Sequence, residues 1–338
     1  MSPSLAPLLS QALSSRAPLL ERLHAEQADA YRLFHGSVEG APGLTVDRYG
    51  DLVLVQSFHA PLDAGALSVV EDFYGGAVPG CAVVYNDRSG AGSRVGNPLE
   101  GEALSAAMAP RVAREMGVRY RIQARHSGQD PWLFLDLRAG RRWVMARAAG
   151  RSVLNLFAYT GGVGLVAAKG GASEVLNVDF AASSLAVAEE NARLNELAVA
   201  PRCLQSDVFP AVRQLAGLSQ PEVVRGRRMP PFPKLGQRRY GLVFLDPPRL
   251  AKSPFGVVDL VNDYAAVFKP ALLATAEGGT IVCCNNVAGV RPDEWLDRLR
   301  RSAAKAGRVV RDAEWITPEE DFPSRDGQHP LKMVALGV

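Results

Sequence analysis

The feature that most constrains the fold is a regular alternation of strand-like and helix-like segments in the second half of this 338-residue chain. The predicted strands are Val153–Tyr159, Glu174–Asp179, Arg202–Ser206, Gly241–Asp246, Thr280–Cys284, Val309–Trp315 and Lys332–Leu336. The predicted helices cover 161–169, 182–196, 208–216, 258–275 and 292–306. This alternation is typical of a doubly wound α/β fold with a mostly parallel, Rossmann-like sheet. The last strand follows a loop instead of a helix, so we expect it to enter as a hairpin partner.

The first half of the chain has a different pattern. Residues 1–30 carry leucines at helical spacing, with Pro18 as a predicted break. Residues 31–125 suggest a small α+β domain, because two strand-like runs flank Gly50-Asp51. A hairpin is predicted between Tyr120–Gln123 and Trp132–Asp136, around the polar turn at 127–130, and a helix from about Arg138 to Ala149. The predicted divisions are therefore 1–30, 31–125 and a catalytic domain at 126–338.

A glycine-rich turn follows the first strand of the alternating half. The turn begins after an apolar strand that contains Asn155 and Phe157, and it continues through Thr160 and Gly161. Glycine there lets the backbone approach a ligand at the carboxyl edge of the sheet. Asp179 ends the next strand, 18 residues after Gly161, with Phe180 after it. An acid at this spacing can bind a ribose diol, which a nucleotide or a dinucleotide would supply, although the turn lacks the full G-x-G-x-x-G pattern.

Two further acidic positions end predicted strands. Asp207 could accept hydrogen bonds from an adenine amino group, although an aspartate at this place is also an ordinary helix N-cap. Asp246 is followed by Pro247 and Pro248, which fix the backbone and remove two amide donors. Such a rigid turn can hold carbonyl groups and a carboxylate against a planar base.

The fifth predicted strand ends in two amides and contains two cysteines. Asn285 and Asn286 can both donate to and accept from a base edge. Cys283 and Cys284 are expected to be small core residues, because free cysteines are usually buried. A nucleophilic cysteine would need surroundings that lower its pKa.

Composition excludes several classes of protein. No stretch approaches the ~20 apolar residues of a membrane span, and no signal peptide is evident. Four irregularly spaced cysteines predict neither a disulfide framework nor a metal site, which favours a cytoplasmic setting. The net charge of +3 is only mildly basic, but the arginines are clustered. The clusters are Arg111, Arg114, Arg119, Arg121 and Arg125; Arg138, Arg141, Arg142 and Arg147; and Arg225, Arg227, Arg228, Arg238 and Arg239 with Lys234.

Taken together, these motifs resemble the bacterial class I large-subunit rRNA methyltransferases, which depend on S-adenosyl-L-methionine and methylate cytosine C5 or guanine N7 of 23S rRNA. The resemblance covers about residues 31–338 and includes Tyr31–Phe34, Pro42–Asp51 and Phe134–Arg138. It implies a central domain that helps hold RNA, placed before a catalytic domain with a seven-stranded sheet. The cytosine-C5 members begin with a PUA domain of roughly seventy residues, which we expect to be missing here.

Besides the missing PUA domain, a second departure from the pattern of the cytosine-C5 members concerns the catalytic nucleophile. The cytosine-C5 members place a cysteine just after the fifth strand, where this chain has Asn286. Cytosine C5 needs activation by a thiolate, which an asparagine cannot supply. Asn285-Asn286 resembles the Ser-Asn-Asn of the guanine-N7 branch, and Asp321-Phe322 resembles its Gln-Asp-Phe. Guanine N7 has its own lone pair, so positioning alone can support transfer.

The resemblance therefore implies a methyltransferase that acts on guanine N7 of 23S rRNA, without a metal, as a monomer or a homodimer. The expected cofactor-binding residues are Arg138, Asn155, Phe157, Thr160, Gly161, Asp179, Phe180, Asp207 and Asp246. The expected catalytic residues are Asp246, Pro247, Pro248 and Asn286. RNA contacts are expected from Asn285 and from the arginines of an insert at 219–239, which we expect at the mouth of the site. Arg138 is assigned to the cofactor's carboxylate, which an arginine can bind in a bidentate pair.

Three alternatives remain open from the sequence. The first is cytosine C5 methylation that uses Cys284 or Cys283. The second is an RNA-binding assembly factor without catalysis, which the intact glycine turn and acidic positions argue against. The third is a methyltransferase with a small-molecule or protein substrate, which the front domain and the basic clusters argue against.

Overall fold

The computed structural model describes residues 5–90, 99–126, 130–224 and 227–338. The chain forms two compact units. The first unit is Met1–Arg138 with Glu319–Gly327, and the second is Ala139–Pro318 with Gln328–Val338. The predicted division placed 1–30 apart and 319–327 in the catalytic domain, whereas here both segments belong to the first unit.

The first unit is built around a four-stranded sheet of order β1-β2-β3-β4, in which only the β3–β4 pair is parallel. Two further strands, β5 and β6, form a separate antiparallel hairpin. The strands are β1 Ala30–His35, β2 Leu44–Tyr49, β3 Leu52–Ser57, β4 Ala82–Asp87, β5 Arg111–Glu115 and β6 Val118–Ile122. The described helices are α1 Leu5–Ala25, α2 Gly36–Glu39, α3 Ala64–Ala77 and α4 Gly101–Met108.

Two predictions about this unit are wrong. Helix α1 continues through Pro18, because Leu9, Leu19 and Leu23 on both sides of the proline are buried in one core, and this packing outweighs the cost of an interior proline. The predicted hairpin at 120–136 is also wrong, since β6 forms its hairpin with β5, the strand that precedes it in the chain. The turn at Met116-Gly117 has positive φ at both positions, as tight hairpins require. Residues 127–129 of the expected turn lie outside the described part of the chain.

The second unit has the predicted α/β fold, with a seven-stranded sheet of order β16-β17-β15-β12-β7-β8-β9. Strands β15, β12, β7, β8 and β9 are parallel, and β17 is antiparallel to both its neighbours. The sheet strands are β7 Ser152–Leu156, β8 Glu174–Asp179, β9 Arg202–Gln205, β12 Tyr240–Leu245, β15 Thr275–Asn285, β16 Asp312–Ile316 and β17 Lys332–Gly337. The helices are α5 Arg138–Arg147, α6 Gly162–Lys169, α7 Ala182–Arg193, α8 Val208–Leu215, α9 Ala265–Leu273 and α10 Pro292–Lys305.

Two small hairpins lie outside the main sheet. Strands β10 (Val223–Val224) and β11 (Arg227–Arg228) form the first, and β13 (Leu250–Ser253) and β14 (Gly256–Asp259) form the second. The helix predicted at 258–275 is therefore shorter, because its first residues belong to β14. In the described part of the chain, no helix combines the length and the apolar character needed to cross a bilayer.

Candidate active site

The candidate site lies at the carboxyl edge of the parallel strands in the second unit. Strands β7, β8, β12 and β15 run side by side in the same direction, so the segments that follow them meet at one edge. The glycine-rich turn follows β7, and Asp179 is the last residue of β8. Asp246 and Asn286 directly follow β12 and β15. This edge is where open α/β sheets bind ligands.

The turn after β7 has a backbone that few residues can adopt. Phe157, Tyr159 and Gly161 all have positive φ, at 59°, 51° and 74°. Residues other than glycine rarely adopt this conformation, and such strain is concentrated at functional sites. A Cβ atom on Gly161 would also lie 2.9 Å from the Cβ of Ala188 in α7, so this position requires glycine.

Asp179 joins this turn to the end of β8. Its Oδ2 accepts a hydrogen bond from the Tyr159 backbone N–H at 2.8 Å, and its Oδ1 accepts one from Ala181 at 2.9 Å. The side chain is only 6% exposed. Burial raises the pKa of this carboxyl group, and the backbone hydrogen bonds oppose that shift without cancelling it. The result is a carboxylate fixed in direction at the ligand-binding edge, with lone pairs left for hydroxyl donors.

A cavity with about 540 Å³ of empty space, part of it open to solvent, lies beside the segment that follows Asp179. Its walls include the rings of Phe157, Phe180 and Phe209 together with the carboxylate residue Asp207. Phe180 is 66% exposed. Apolar walls with a small number of directed polar groups are the usual design of a site for a flat heterocycle.

Asp207 has two roles at this cavity. Its Oδ1 caps helix α8 by accepting the Phe209 backbone N–H at 2.8 Å, which was the ordinary role expected from the sequence. The residue also lines the cavity, so its carboxylate is placed for a ligand donor as well.

The β13–β14 hairpin forms another wall of the cavity, and sequence reasoning missed it. Ala251, Ser253 and Val258 line the cavity. At Gly256 an added Cβ would lie 2.9 Å from the ring of Phe209, so the hairpin sits directly on that ring. The Ser253–Gly256 turn between two short alternating runs was the signal that could have predicted it.

The proline turn and the asparagine pair follow the two central strands. Asp246 is half-buried, Pro247 is buried, and Pro248 is exposed and lines the cavity. Leu245 pairs with Cys283 in the parallel β12–β15 ladder, so the residues that follow each strand are neighbours at the same edge. Asn286 is exposed there, one residue beyond β15.

Known proteins match this architecture along most of the chain. Residues 32–336 match the S-adenosylmethionine-dependent methyltransferase family. This chain belongs to that family. A ribosomal RNA large subunit methyltransferase from Deinococcus radiodurans is 32% identical, over 89% of this chain and 70% of the relative. Ribosomal RNA large subunit methyltransferase I from Aeromonas salmonicida is 29% identical, over 93% of this chain and 74% of the relative.

A solved structure extends the match in fold. A candidate methyltransferase crystallised with S-adenosylhomocysteine superposes with a TM-score of 0.77 over 98% of this chain and 80% of that one, at 21% identity. At this identity the likeness concerns the fold. The family match and the fold together make this chain a Rossmann-like methyltransferase whose cofactor is S-adenosylmethionine.

The residues at the edge fit this cofactor. Asp179 would accept from the ribose hydroxyls, and Phe180, Asp207 and Phe209 would hold the adenine ring in the cavity, as the apolar walls and the single carboxylate there favour. When bound, S-adenosylmethionine supplies an electrophilic methyl group on a positively charged sulfur. Among the described residues there is no group of three or more histidine, cysteine or acidic side chains that could hold a metal ion.

Three residues that were predicted to contact a ligand at this edge have buried side chains. Asn155 is buried inside the sheet, where its Nδ2 donates to Asn177 Oδ1 at 2.9 Å. Asn285 is fully buried, with its Nδ2 donating to the Leu260 carbonyl at 3.2 Å and its Oδ1 accepting from Val287 at 3.0 Å. Asn155 therefore links β7 to the side chain of Asn177 in β8, and Asn285 holds backbone groups of Leu260 and Val287, so both side chains are engaged inside the protein. The Thr160 side chain is also buried, and its carbonyl accepts from Asn191 at 3.1 Å, so this residue shapes the turn.

Arg138 donates hydrogen bonds to residues of its own unit. It belongs to the first unit and is 1% exposed. Its guanidinium donates to Glu319 at 2.7 Å, to Asp321 at 2.6 Å and to the carbonyl of Ala30 at 3.0 Å. Because these partners occupy all three nitrogens, the assignment to the cofactor's carboxylate is withdrawn. Burial acts to lower the pKa of Arg138, but the carboxylates around it outweigh that effect and raise the pKa.

The 219–239 insert is only partly near the site. Arg238 forms an ion pair with Glu174, which begins β8, and Arg239 precedes the first residue of β12. Both arginines therefore lie at the amino edge of the sheet, opposite the site, and the prediction that they stand at its mouth is wrong. The middle of the insert does approach the cavity wall, since Phe232 contacts Phe255 with ring centroids 5.6 Å apart.

The other three arginines of the insert are Arg225, Arg227 and Arg228. Arg228 is exposed in β11. Arg225 and the Arg227 side chain lie outside the described residues. A contact between these three arginines and RNA stays a prediction.

Proposed function

We propose that this methyltransferase transfers the methyl group of S-adenosylmethionine to large-subunit ribosomal RNA, at N7 of a guanine. The relatives from Deinococcus radiodurans and Aeromonas salmonicida are named as ribosomal RNA large subunit methyltransferases, and this chain covers at least 70% of each. These names support the RNA class of substrate. The choice of guanine N7 rests on the chemistry of the site.

The observation that carries this choice is the burial of both cysteines near the site. Cys283 and Cys284 are fully buried within β15, and burial raises the pKa of the Cys283 thiol. A covalent nucleophile needs the opposite, an accessible thiol with a lowered pKa. Cys81 lies in the first unit, and Cys203 lies within β9, where burial also raises its pKa.

Guanine N7 needs no such nucleophile, because it carries its own lone pair. The enzyme then has to orient the base and exclude competing geometries, and positioning of this kind can supply most of the rate enhancement. The turn of Asp246, Pro247 and Pro248 offers a rigid surface with a carboxylate at the end of β12. The exposed Asn286 amide offers both a donor and an acceptor to a base edge. We assign Asp246, Pro248 and Asn286 to the target base, and the buried Pro247 to the rigidity of the turn.

Replacement of both cysteines tests the choice of base. The double variant Cys283→Ala and Cys284→Ala should retain methyl transfer within about threefold of the unchanged enzyme, since neither sulfur takes part in the chemistry. Its stability should fall by about 1–2 kcal/mol, because two small buried groups are lost from the core. Transfer is measured with labelled S-adenosylmethionine and 23S rRNA below the melting temperature. Loss of transfer by a factor of 100 or more, in a folded variant that still binds the cofactor, would favour cytosine C5 instead.

A further inference from the structure

The backbone directly after Asn286 is held by two buried side chains. The N–H of Val287 donates to Oδ1 of Asn285 at 3.0 Å, and the Val287 carbonyl accepts from Nζ of Lys332 at 2.8 Å. Asn285 and Lys332 lie opposite each other in the antiparallel β15–β17 pair, and both are buried. Both polar backbone groups of the residue that follows Asn286 are therefore fixed from inside the second unit.

Lys332 brings a charge into this buried position. Burial lowers the pKa of its ammonium group, as expected when a cation loses contact with water. Its Nζ also donates to the Pro330 carbonyl at 2.9 Å, and the His329 carbonyl lies 3.5 Å away. An ammonium group has three donors, and hydrogen bonds from a charged donor are stronger than neutral ones. Lys332 thus ties the segment after Asn286 to the segment before β17.

Asn285 connects the same place to the proline turn. Its Nδ2 donates to the carbonyl of Leu260, the residue that follows β14, at 3.2 Å. The Leu260 N–H in turn donates to the carbonyl of Arg249 at 3.2 Å. Arg249 directly follows Pro248, which lines the cavity. The two segments that are assigned to the target base are therefore linked to each other through Asn285 and the backbone of Leu260.

We propose that Lys332 is a positioning residue for methyl transfer, because its hold on the Val287 carbonyl fixes Asn286 relative to the proline turn. Asn285 shares this role, since it holds the N–H of the same Val287. The proposal rests on the proposed function, because it takes Asn286 and Pro248 as contacts of the target base. Transfer requires the acceptor atom in line with the methyl group, and a displacement of about 1 Å can lower the rate by about 100-fold.

A second buried hydrogen bond to the same strand serves as the comparison. The hydroxyl of Tyr264 donates to the carbonyl of Cys284 at 2.9 Å, two residues before Asn286. Tyr264 and Lys332 are equally buried, at 6% exposed each. The bond from Tyr264 lies within β15, whereas the bond from Lys332 lies beyond the end of that strand. Removal of either donor costs stability, but only the loss at Lys332 should loosen Asn286.

The kinetic test compares Lys332→Met with Tyr264→Phe in the full chain. Methyl transfer from labelled S-adenosylmethionine to a 23S rRNA transcript gives kcat and the KM for RNA, and titration gives the Kd for the cofactor. For Lys332→Met we expect kcat to fall by about 30–100-fold, while KM and Kd stay within about threefold. For Tyr264→Phe all three constants should stay within about threefold, although the melting temperature falls in both variants.

Hydrogen exchange gives a readout that does not depend on transfer. In the protein without cofactor or RNA, the amides of residues 286–291 should exchange about tenfold faster in Lys332→Met than in the unchanged chain, because this segment opens more often. The Val290 N–H, which donates to the Val287 carbonyl at 3.0 Å, is the most informative amide. Tyr264→Phe should leave exchange in this segment unchanged.

Two further variants separate positioning from a general loss of structure. Lys332→Arg keeps a cationic donor at the same place and should bring kcat back to within about tenfold of the unchanged enzyme. Asn285→Ala removes the acceptor of the Val287 N–H without any change at Lys332. It should also lower kcat at constant cofactor Kd, and it supplies the test if Lys332→Met does not fold.

A kcat for Lys332→Met equal to that of Tyr264→Phe, with unchanged exchange at 286–291, overturns the positioning role and leaves the proposed function intact. An equal loss of kcat and of cofactor affinity also overturns it, because the effect would then lie in the cofactor site. If the unchanged enzyme transfers no methyl group to the transcript, the proposed RNA substrate fails, and the role of Lys332 in transfer fails with it. Methylation of a base other than guanine would contradict the proposed function, while the same pattern of kcat and exchange would still support the positioning role.

Discussion

The substitution Asp179→Asn should weaken S-adenosylmethionine binding by about 100-fold. The carboxylate is the one group at the end of β8 that can accept hydrogen bonds from two ribose hydroxyls while it also holds the Tyr159 and Ala181 backbone. Hydrogen bonds to a charged group contribute about 1.5–3 kcal/mol each, and 2.7 kcal/mol corresponds to 100-fold in affinity. Asparagine has nearly the same shape but only one acceptor oxygen, so it can keep one of the two backbone hydrogen bonds, from Tyr159 or from Ala181, and not both.

Isothermal titration of the cofactor measures this effect directly. The matched control is Asp72→Asn, an exposed aspartate on α3 of the first unit, which should leave the dissociation constant unchanged. We expect the Asp179 variant to lose cofactor affinity while its circular dichroism spectrum stays like that of the unchanged protein. A dissociation constant within threefold of the unchanged protein would remove Asp179 from the cofactor site.

The substitution Arg138→Met should destabilise the first unit by about 3–5 kcal/mol, because it leaves buried carboxylates without their counter-charge. Asp321 is fully buried, with its Oδ2 accepting the Arg32 backbone N–H at 2.9 Å and its Oδ1 bound to Arg138. Loss of the guanidinium therefore leaves the Asp321 carboxylate, which belongs to the 319–327 segment, buried without the counter-charge of Arg138. The free energy of unfolding is obtained from denaturant titration, followed at the transition of this unit.

Arg147→Met is the matched control for this prediction. Arg147 lies in the same helix, α5, but it is 41% exposed and its ion pair with Glu314 is 3.2 Å long. A surface pair of this kind contributes about 0–1 kcal/mol, so the two variants should differ clearly. Equal stability of the two variants, with weaker cofactor binding only in Arg138→Met, would return Arg138 to the cofactor site.

The sequence was sufficient for the sheet and for the residues at its carboxyl edge. Parallel strands end at one edge, so Asp179 at the end of β8, and Asp246 and Asn286 directly after β12 and β15, could be placed together without coordinates. The predictions for Asn155 and Asn285 failed because both side chains are buried and bond to neighbouring elements of the protein. The face of a strand on which a polar side chain lies depends on packing that one sequence does not reveal. The same is true of its buried hydrogen-bond partner, such as Asn177 for Asn155.

Long-range pairing explains the other differences. Arg138 was assigned to the cofactor because an arginine can pair with a carboxylate, but its carboxylate partners Glu319 and Asp321 belong to the protein and lie about 180 residues away in the sequence. The 219–239 insert was placed at the site because it precedes the strand of the proline turn. Entry into β12, however, occurs at the opposite edge, where Arg238 meets Glu174. Local patterns predict which elements form, whereas tertiary contacts decide what their flanking residues touch.

The identity of the methylated nucleoside distinguishes guanine N7 from cytosine C5 as the acceptor. Purified chain, labelled S-adenosylmethionine and protein-free 23S rRNA are incubated, and the RNA is digested to nucleosides and separated by chromatography with mass detection. We expect label in 7-methylguanosine, and no label when Asp179→Asn replaces the unchanged enzyme at cofactor concentrations below its weakened dissociation constant. Label in 5-methylcytidine would contradict the account, because it would require a cysteine nucleophile that the buried positions of Cys283 and Cys284 argue against.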